Sequence, residues 1–232
     1  MNQEFGRKYN MGTRALAAHE AVPDTDPGNT AAAAKLKAMT ERFAVVATVQ
    51  RNGMVDVHAG SEETQRLRRA MISGPIANLA KVGQLAAQEN HEVGQTFRFK
   101  PDASTLLAFR TAAGSMAEAA ETHRDILVKY GLAVPVLEEF KQMLERFDAA
   151  VALGKNGRTA HVAATRELGA LASQIVKTVR VMDLRNRQRF QGNAELLGSW
   201  ISATKILGAP RPAPVGEEQG TTPPAGDVRP AA

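Results

Sequence analysis

Between residues 104 and 189 apolar or neutral side chains recur at alternating steps of three and four. Leu106, Phe109, Ala113, Met116, Ala120, His123, Leu127 and Tyr130 mark one seam, and Leu137, Phe140, Leu144, Phe147, Val151 and Gly154 a second. That alternation lines up one face of a helix, whereas a half-buried strand would alternate every second residue. Two such seams joined by the short link 131–134 predict an antiparallel helical pair. Pro135 suits the first turn of the second helix, because a missing N–H costs nothing there.

Helical spacing extends to most of the chain. Residues 3–20 form a basic amphipathic segment with Phe5, Tyr9, Met11 and Leu16 on the inward face. Two prolines and Gly28-Asn29 then break the chain at 23–29. Leu36, Met39, Phe43, Val46 and Gln50 predict a helix over 31–51 capped by Gly53. Asn52-Gly53 between β-branched residues is also a hairpin signal over 45–57; the helix is preferred because no third strand is present to complete a sheet. Ser61 with Glu62 and Glu63 reads as the start of a third helix, 61–89, with Gly74-Pro75 kinking it. Residues 91–99 read as an irregular connection.

Gly154-Lys155-Asn156-Gly157 interrupts the second seam. A helix running unbroken from 135 to 190 would be about 84 Å long against a partner of about 40 Å, leaving apolar surface overhanging. A turn is therefore expected at 154–157, with Thr159 capping a new helix, 159–190, that buries Leu168, Leu171, Ile175, Val179 and Met182. Asn193 caps a short last helix with Leu197, Trp200, Ile201 and Leu207 on one side. These elements predict an all-α antiparallel bundle of about six to seven helices in one domain, 1–208. Residues 209–232, with six prolines and three glycines, are expected to be a disordered tail.

Composition narrows the chemistry more than it suggests any. The 232-residue chain has no cysteine, so thiolate nucleophiles, disulfides and Cys-ligated metals are excluded. No apolar run approaches a membrane span and the first residues lack a signal core, so the cytoplasm is the expected location and no membrane partner is expected. No glutamate is followed three residues later by histidine, which excludes the di-iron pattern of helical bundles. His123 and His161 fall near the seams, but the predicted helices separate them by roughly 10 Å along the axis, too far for one ion. Glu118 with Glu121 and Glu138 with Glu139 read as solvated helix faces, with no apolar pocket to shift a pKa. Gly83 and Gly114 read as close-packing points. Phosphate-cradling and dinucleotide motifs are absent, and no cofactor is expected.

The net charge of +5 is concentrated. From 158 to 191 seven basic residues face two acids, which equals the chain's whole excess. Lys177, Arg180, Arg185, Arg187 and Arg189 are candidates for binding nucleic acid or another polyanion, with Arg66, Arg68 and Arg69 as a smaller group. The plainer reading is that these cations stabilise a helix C-terminus and pair with acids on neighbouring helices. Their spread around more than half the helix circumference favours it.

Gly157-Arg158-Thr159-Ala160-His161, Thr165-Arg166-Glu167-Leu168, Asn186-Arg187-Gln188-Arg189-Phe190, Asn193-Ala194-Glu195-Leu196-Leu197-Gly198-Ser199-Trp200 and Ser202-Ala203-Thr204 resemble a loose group of uncharacterised bacterial helical-bundle proteins. The resemblance spans roughly 100–208 and, less clearly, 5–16. It implies an all-helical fold and transfers no catalytic or binding residue. The expected role is therefore a non-catalytic structural or protein–protein interaction module, with a protein partner or self-association. Phe109→Ala or Phe140→Ala is expected to cost about 3–5 kcal/mol by opening a cavity, read as a fall in the denaturation midpoint.

Overall fold

The heptad pattern that begins at Leu36 does not stop at Gly53. In the computed structural model, which describes residues 2–22, 24–98 and 105–207, Leu36, Met39, Phe43, Val46, Gln50, Gly53, Gly60, Thr64, Leu67 and Met71 are all buried on one helix. The elements are α1 (Gln3–Ala21), α2 (Pro27–Met71), a π-helical turn (Ile72–Ile76), α3 (Ala77–Ala86), α4 (His91–Thr96), α5 (Leu106–Thr122), α6 (Arg124–Lys129), α7 (Val134–Arg189) and α8 (Ala194–Thr204). The fold is an all-α antiparallel bundle, without a strand among the described residues. The 209–232 segment lies outside them.

Two expected breaks are absent. Gly53 is not a cap and Ser61 starts no helix, because both lie inside the 45-residue α2. Nor does the chain turn at 154–157: α7 runs 56 residues without interruption, and the Thr159 hydroxyl donates to the Lys155 carbonyl (3.1 Å) inside it. The overhang that argued for a turn does not arise, because α2, about 67 Å long, lies antiparallel to the 84 Å of α7. The register is marked by Arg42–Glu167 (2.7 Å), Gln50–Thr165 (2.8 Å) and Glu63–Arg146 (2.9 Å). The pair α2–α7 is thus the spine, in place of the 104–130 and 135–154 pair read from the sequence.

What lets two long helices stay paired is glycine. A Cβ on Gly60 would lie 2.6 Å from the Gly154 nitrogen and 2.7 Å from the Ala150 oxygen, and one on Gly53 2.7 Å from the Gly157 oxygen. A Cβ on Gly157 would in turn meet the Gly53 oxygen at 2.7 Å and the Val57 nitrogen at 3.0 Å. The backbones touch there, so no large side chain fits between them.

Hydrophobic packing therefore divides into two clusters at the ends of the spine. One gathers Leu67, Met71, Leu79, Phe97, Phe109, Leu127, Phe140 and Phe147 from α2 to α7. The other gathers Met11, Leu36, Phe43, Leu168, Ile175, Met182 and Trp200 from α1, α2, α7 and α8. Between them α2 and α7 form a two-helix neck whose buried positions are Gln50, Gly53, Gly60, Thr64 and Gly157.

The end clusters follow the expected apolar faces with local differences. Phe109 packs on Phe147 (ring centroids 5.5 Å), as the paired seams predict, but Leu106 at the start of the first seam is exposed. The expected 104–130 helix is interrupted at His123, which leaves the helical region (φ −103°, ψ 22°) between α5 and α6. Gly131, at φ 99°, then reverses the chain. Residues 91–96 form a helix instead of an irregular link, since the Asn90 side chain accepts from the Glu92 N–H (3.1 Å). Gly83 is the close-packing point expected, its Cβ position 2.6 Å from that of Phe97, whereas Gly114 faces only the movable Arg110 guanidinium. The Gly74-Pro75 kink is a π turn that absorbs the missing proline N–H. Asn193 caps α8 by accepting from the Leu196 N–H (3.0 Å), but Leu207 is exposed.

Gly157→Ala and Gly60→Ala are expected to destabilise by about 1–3 kcal/mol or more, because each added methyl meets backbone that cannot move aside. Gly154→Ala has ordinary contact distances, 3.9 Å and longer, and is expected to stabilise by about 0.5–1 kcal/mol through helix propensity. Chemical denaturation of the three variants reads the contrast.

Candidate functional site

The five basic residues sit on the last four turns of α7, but they do not form one surface. Lys177, Arg180 and Arg187 share one side of the helix and Arg185 and Arg189 the other, as their spacing at 100° per residue requires. Arg185 reaches Asp26 (3.0 Å), the residue whose carboxylate also caps α2 by accepting from the Gly28 N–H (3.0 Å). Arg189 reaches Asp24 (3.3 Å), donates to the Val22 carbonyl (3.2 Å) and lies 5.1 Å over the Phe190 ring. Both therefore fasten the corner between α1 and α2 onto the end of α7.

Asp24 is the hinge of that corner. It accepts from the Asp26 N–H (2.9 Å) and from the Asn29 amide (2.6 Å), while the same amide donates to Asn186 on α7 (3.0 Å). The Asn29 amide, then the Asp26 N–H and Arg189, hold the Asp24 carboxyl below the ordinary carboxylate range. Asn29 and Asn186 are both buried, and the Asn29 Oδ1 and Asn186 Nδ2 atoms are left without a partner.

On the other side, Arg187 pairs with Asp183 (2.9 Å), whose second oxygen accepts from the Trp200 indole N–H (3.0 Å). That carboxylate is what seats α8. Arg180 and Arg187 line a cleft of about 280 Å³ between α7 and α8, together with Asp183, Thr204, Lys205 and an apolar floor that includes Met11 and Val179. Of the candidate residues, then, Arg185 and Arg189 are engaged in ion pairs that close the fold, Arg187 in one within α7, Arg180 opens on the cleft, and Lys177 is exposed.

The carboxylates considered for acid–base chemistry are solvated ion pairs. Lys141 (2.9 Å) and Arg124 (3.3 Å) flank Glu121, and the Lys141 hydrogen bond pulls its pKa down; Glu138 lies 3.8 Å from the same lysine. Glu89 takes hydrogen bonds from Lys129 and Tyr130 (both 2.7 Å), which lowers its pKa and ties the end of α3 to α6. His123 stands edge-on to Phe97 at 6.5 Å, and His161 donates its Nδ1–H to the Gln50 carbonyl (3.0 Å). The two histidines thus belong to different regions, one to an end cluster and one to the neck. No group of three potential metal ligands occurs among the described residues.

Two other depressions flank the spine. The larger, about 660 Å³, lies beside the π turn and is lined by Ser73, Gly74, Pro75, Asn78, Lys81, Glu139 and Met143. The other, about 310 Å³, opens at the neck between Gly60, Thr64, Gly154 and Arg158, with Leu106 at its rim. In them the Ser73 hydroxyl donates to the Arg69 carbonyl (3.0 Å) and the Thr64 hydroxyl to the Gly60 carbonyl (2.6 Å), each four residues back along the chain. The sequence reading missed the neck contacts, Gln50–Thr165–His161 and the glycines. Their signal was present as small residues seven apart on both helices: Gly53 and Gly60, and Ala150, Gly157 and Ala164.

No family model, curated protein or solved structure matches the chain. No helix among the described residues is long and apolar enough to cross a membrane.

A depressed carboxyl pKa adds stability above its ordinary range, and that contribution is lost as acidification carries the pH through the lowered value. Asp24→Asn is accordingly expected to lower the melting temperature at neutral pH. It should also flatten the acid side of the stability profile, as measured by thermal melts between pH 7 and pH 2.

Proposed function

We propose that the protein is a non-catalytic interaction module, a helical spacer that holds two packed ends apart and presents the neck between them to other protein surfaces. The observation that carries this reading is the neck itself. Its backbones are in contact at glycine, so its apolar side chains have no inner space and stand outward: Val49, Met54, Val55, Leu153 and Val162 are exposed there, with Val45 exposed at its edge. Contiguous apolar side chains on a surface mark interaction sites, and Val45, Val49 and Val55 share the outward half of α2. The chain is proposed to work in the cytoplasm, without a cofactor.

The reading is tested by the state of the chain in extracts of cells that express it. The chain is expected to migrate in an assembly larger than itself, and Val45→Glu with Val162→Glu is expected to dissolve that assembly with helicity unchanged. A chain that migrates as a monomer in extract overturns the reading.

Polyanion binding by Lys177, Arg180, Arg185, Arg187 and Arg189 is the second reading. It is favoured by the cleft in which Arg180, Arg187 and Lys205 converge, and weakened by the commitment of Arg185, Arg187 and Arg189 to aspartates. Fluorescence titration with duplex and single-stranded oligonucleotides at two salt concentrations is expected to show no binding at micromolar protein. Binding that falls steeply with salt would establish this reading instead.

A further inference from the structure

We propose that the outward face of α2 is a docking seam for a second copy of this chain, laid antiparallel over residues 35–63. This deepens the interaction reading above and rests on it. α2 carries two heptad registers. The first faces α7 and is buried. The second consists of Val45, Thr48, Asn52, Val55 and Ala59, whose steps of three, four, three and four repeat the heptad on the solvent side. Val45 is 55% exposed and Val55 57%, with Val49 at the flank 44% exposed. A solvated helix face has no reason to keep valines in heptad register; a helix that meets another helix does.

The charges beside the seam choose the occupant. On the flank that carries Val49, one heptad step apart, lie Lys35, Arg42, Asp56 and Glu63, so the line is basic before Val49 and acidic after it. A line with that polarity is complementary to itself reversed. Set antiparallel about residue 50, Lys35 faces Glu63 of the other copy and Arg42 faces Asp56, each pair occurring twice. Val45 then packs on Val55, Asn52 meets Thr48, and Glu41 and Glu62 at the ends meet Ala59 and Ala38 instead of one another. The Thr48 hydroxyl donates to the Ala44 carbonyl (3.2 Å), leaving its oxygen to accept from the Asn52 amide across the seam.

A parallel copy would set Glu41 on Glu41, Glu62 on Glu62 and Lys37 beside Arg42. Antiparallel pairing has a single like-charged approach on its flanks, Arg51 with its counterpart, where long side chains splay into water. Arg42 already pairs within the chain with Glu167, and Glu63 with both Arg66 and Arg146, but the Arg42 guanidinium and the Glu63 carboxylate remain partly exposed. They can therefore be shared. The seam is about 42 Å long at 1.5 Å per residue, and its positions from Ala38 and Glu41 through Val45 and Val55 to Ala59 and Glu62 are exposed, leaving it open.

Sedimentation of the purified full chain at about 100 µM, roughly a hundredfold above a micromolar Kd, is expected to give a dimer. Val45→Glu with Val55→Glu is expected to give a monomer of unchanged helicity. Should that variant fail to fold, the charge pair answers: R42E and D56R are each expected to weaken the dimer at least tenfold, and their equimolar mixture to restore it. Because the chain has no cysteine, V45C and V55C report direction. Under mild oxidation their mixture is expected to cross-link between chains and neither alone to do so. A monomeric wild-type chain, or efficient self-linking of V45C, overturns the proposal. A purified monomer that still enters a larger assembly in cell extract removes the second copy and leaves the interaction reading standing; a monomer in both removes the two together.

Discussion

Backbone contact between α2 and α7 at Gly53, Gly60 and Gly157 is the constraint from which the rest of the architecture follows. A glycine inside a helix weakens it by about 1 kcal/mol relative to alanine, and three of them at one level would ordinarily end both helices. Here the missing Cβ atoms let the two backbones close to van der Waals contact, and the dispersion gained along that contact offsets the lost propensity. The consequence is geometric. Where the helices touch there is no volume for a core, so the apolar side chains collect in two clusters beyond the contact. The valines of the intervening stretch are turned outward.

The polar chemistry follows from this division. Each end needs its short elements fastened to a spine that it does not fully enclose, and the fastening is done by charge and amide pairs. Asp24 and Asp26 with Arg189, Arg185 and the Asn29–Asn186 pair hold the first corner. Asp183 with Arg187 and Trp200 seats α8. Glu89 with Lys129 and Tyr130 closes the far end. Exposed ion pairs contribute little stability singly, but these fix where a loop or a short helix docks. They also account for part of the basic end of α7: Arg185 and Arg189 are matched by aspartates far away in the chain and Arg187 by one four residues away.

Much of this was legible along the chain. The buried faces of α5 and α7 at Phe109, Ala113, Met116, Leu137, Phe140 and Phe147 are those that the three–four spacing indicates, and Asn193 caps α8 as its residue type suggests. The π turn sits at Gly74-Pro75 for the reason any proline disturbs a helix. The early break at His123, which stands edge-on to Phe97, was not legible because the three–four spacing runs on through it to Leu127 and Tyr130; the short helix after Asn90 did carry a local signal, the Asn90 cap. The basic residues were identified, but the partners of Arg185 and Arg189 were 159 and 167 positions away, beyond any spacing rule.

By itself the amino-acid sequence determined that the chain is helical and which face of each helix avoids water, since both are local properties of residue type and period. It could not determine which helices are one and which are two. Gly53, Gly60 and Gly157 carry the same local cost whether they end a helix or sit at its waist. Only an opposing backbone 2.6–2.9 Å from the absent Cβ turns that cost into a contact. Tertiary structure therefore decided the length of the spine, the separation of its two cores and the outward stance of the neck's valines.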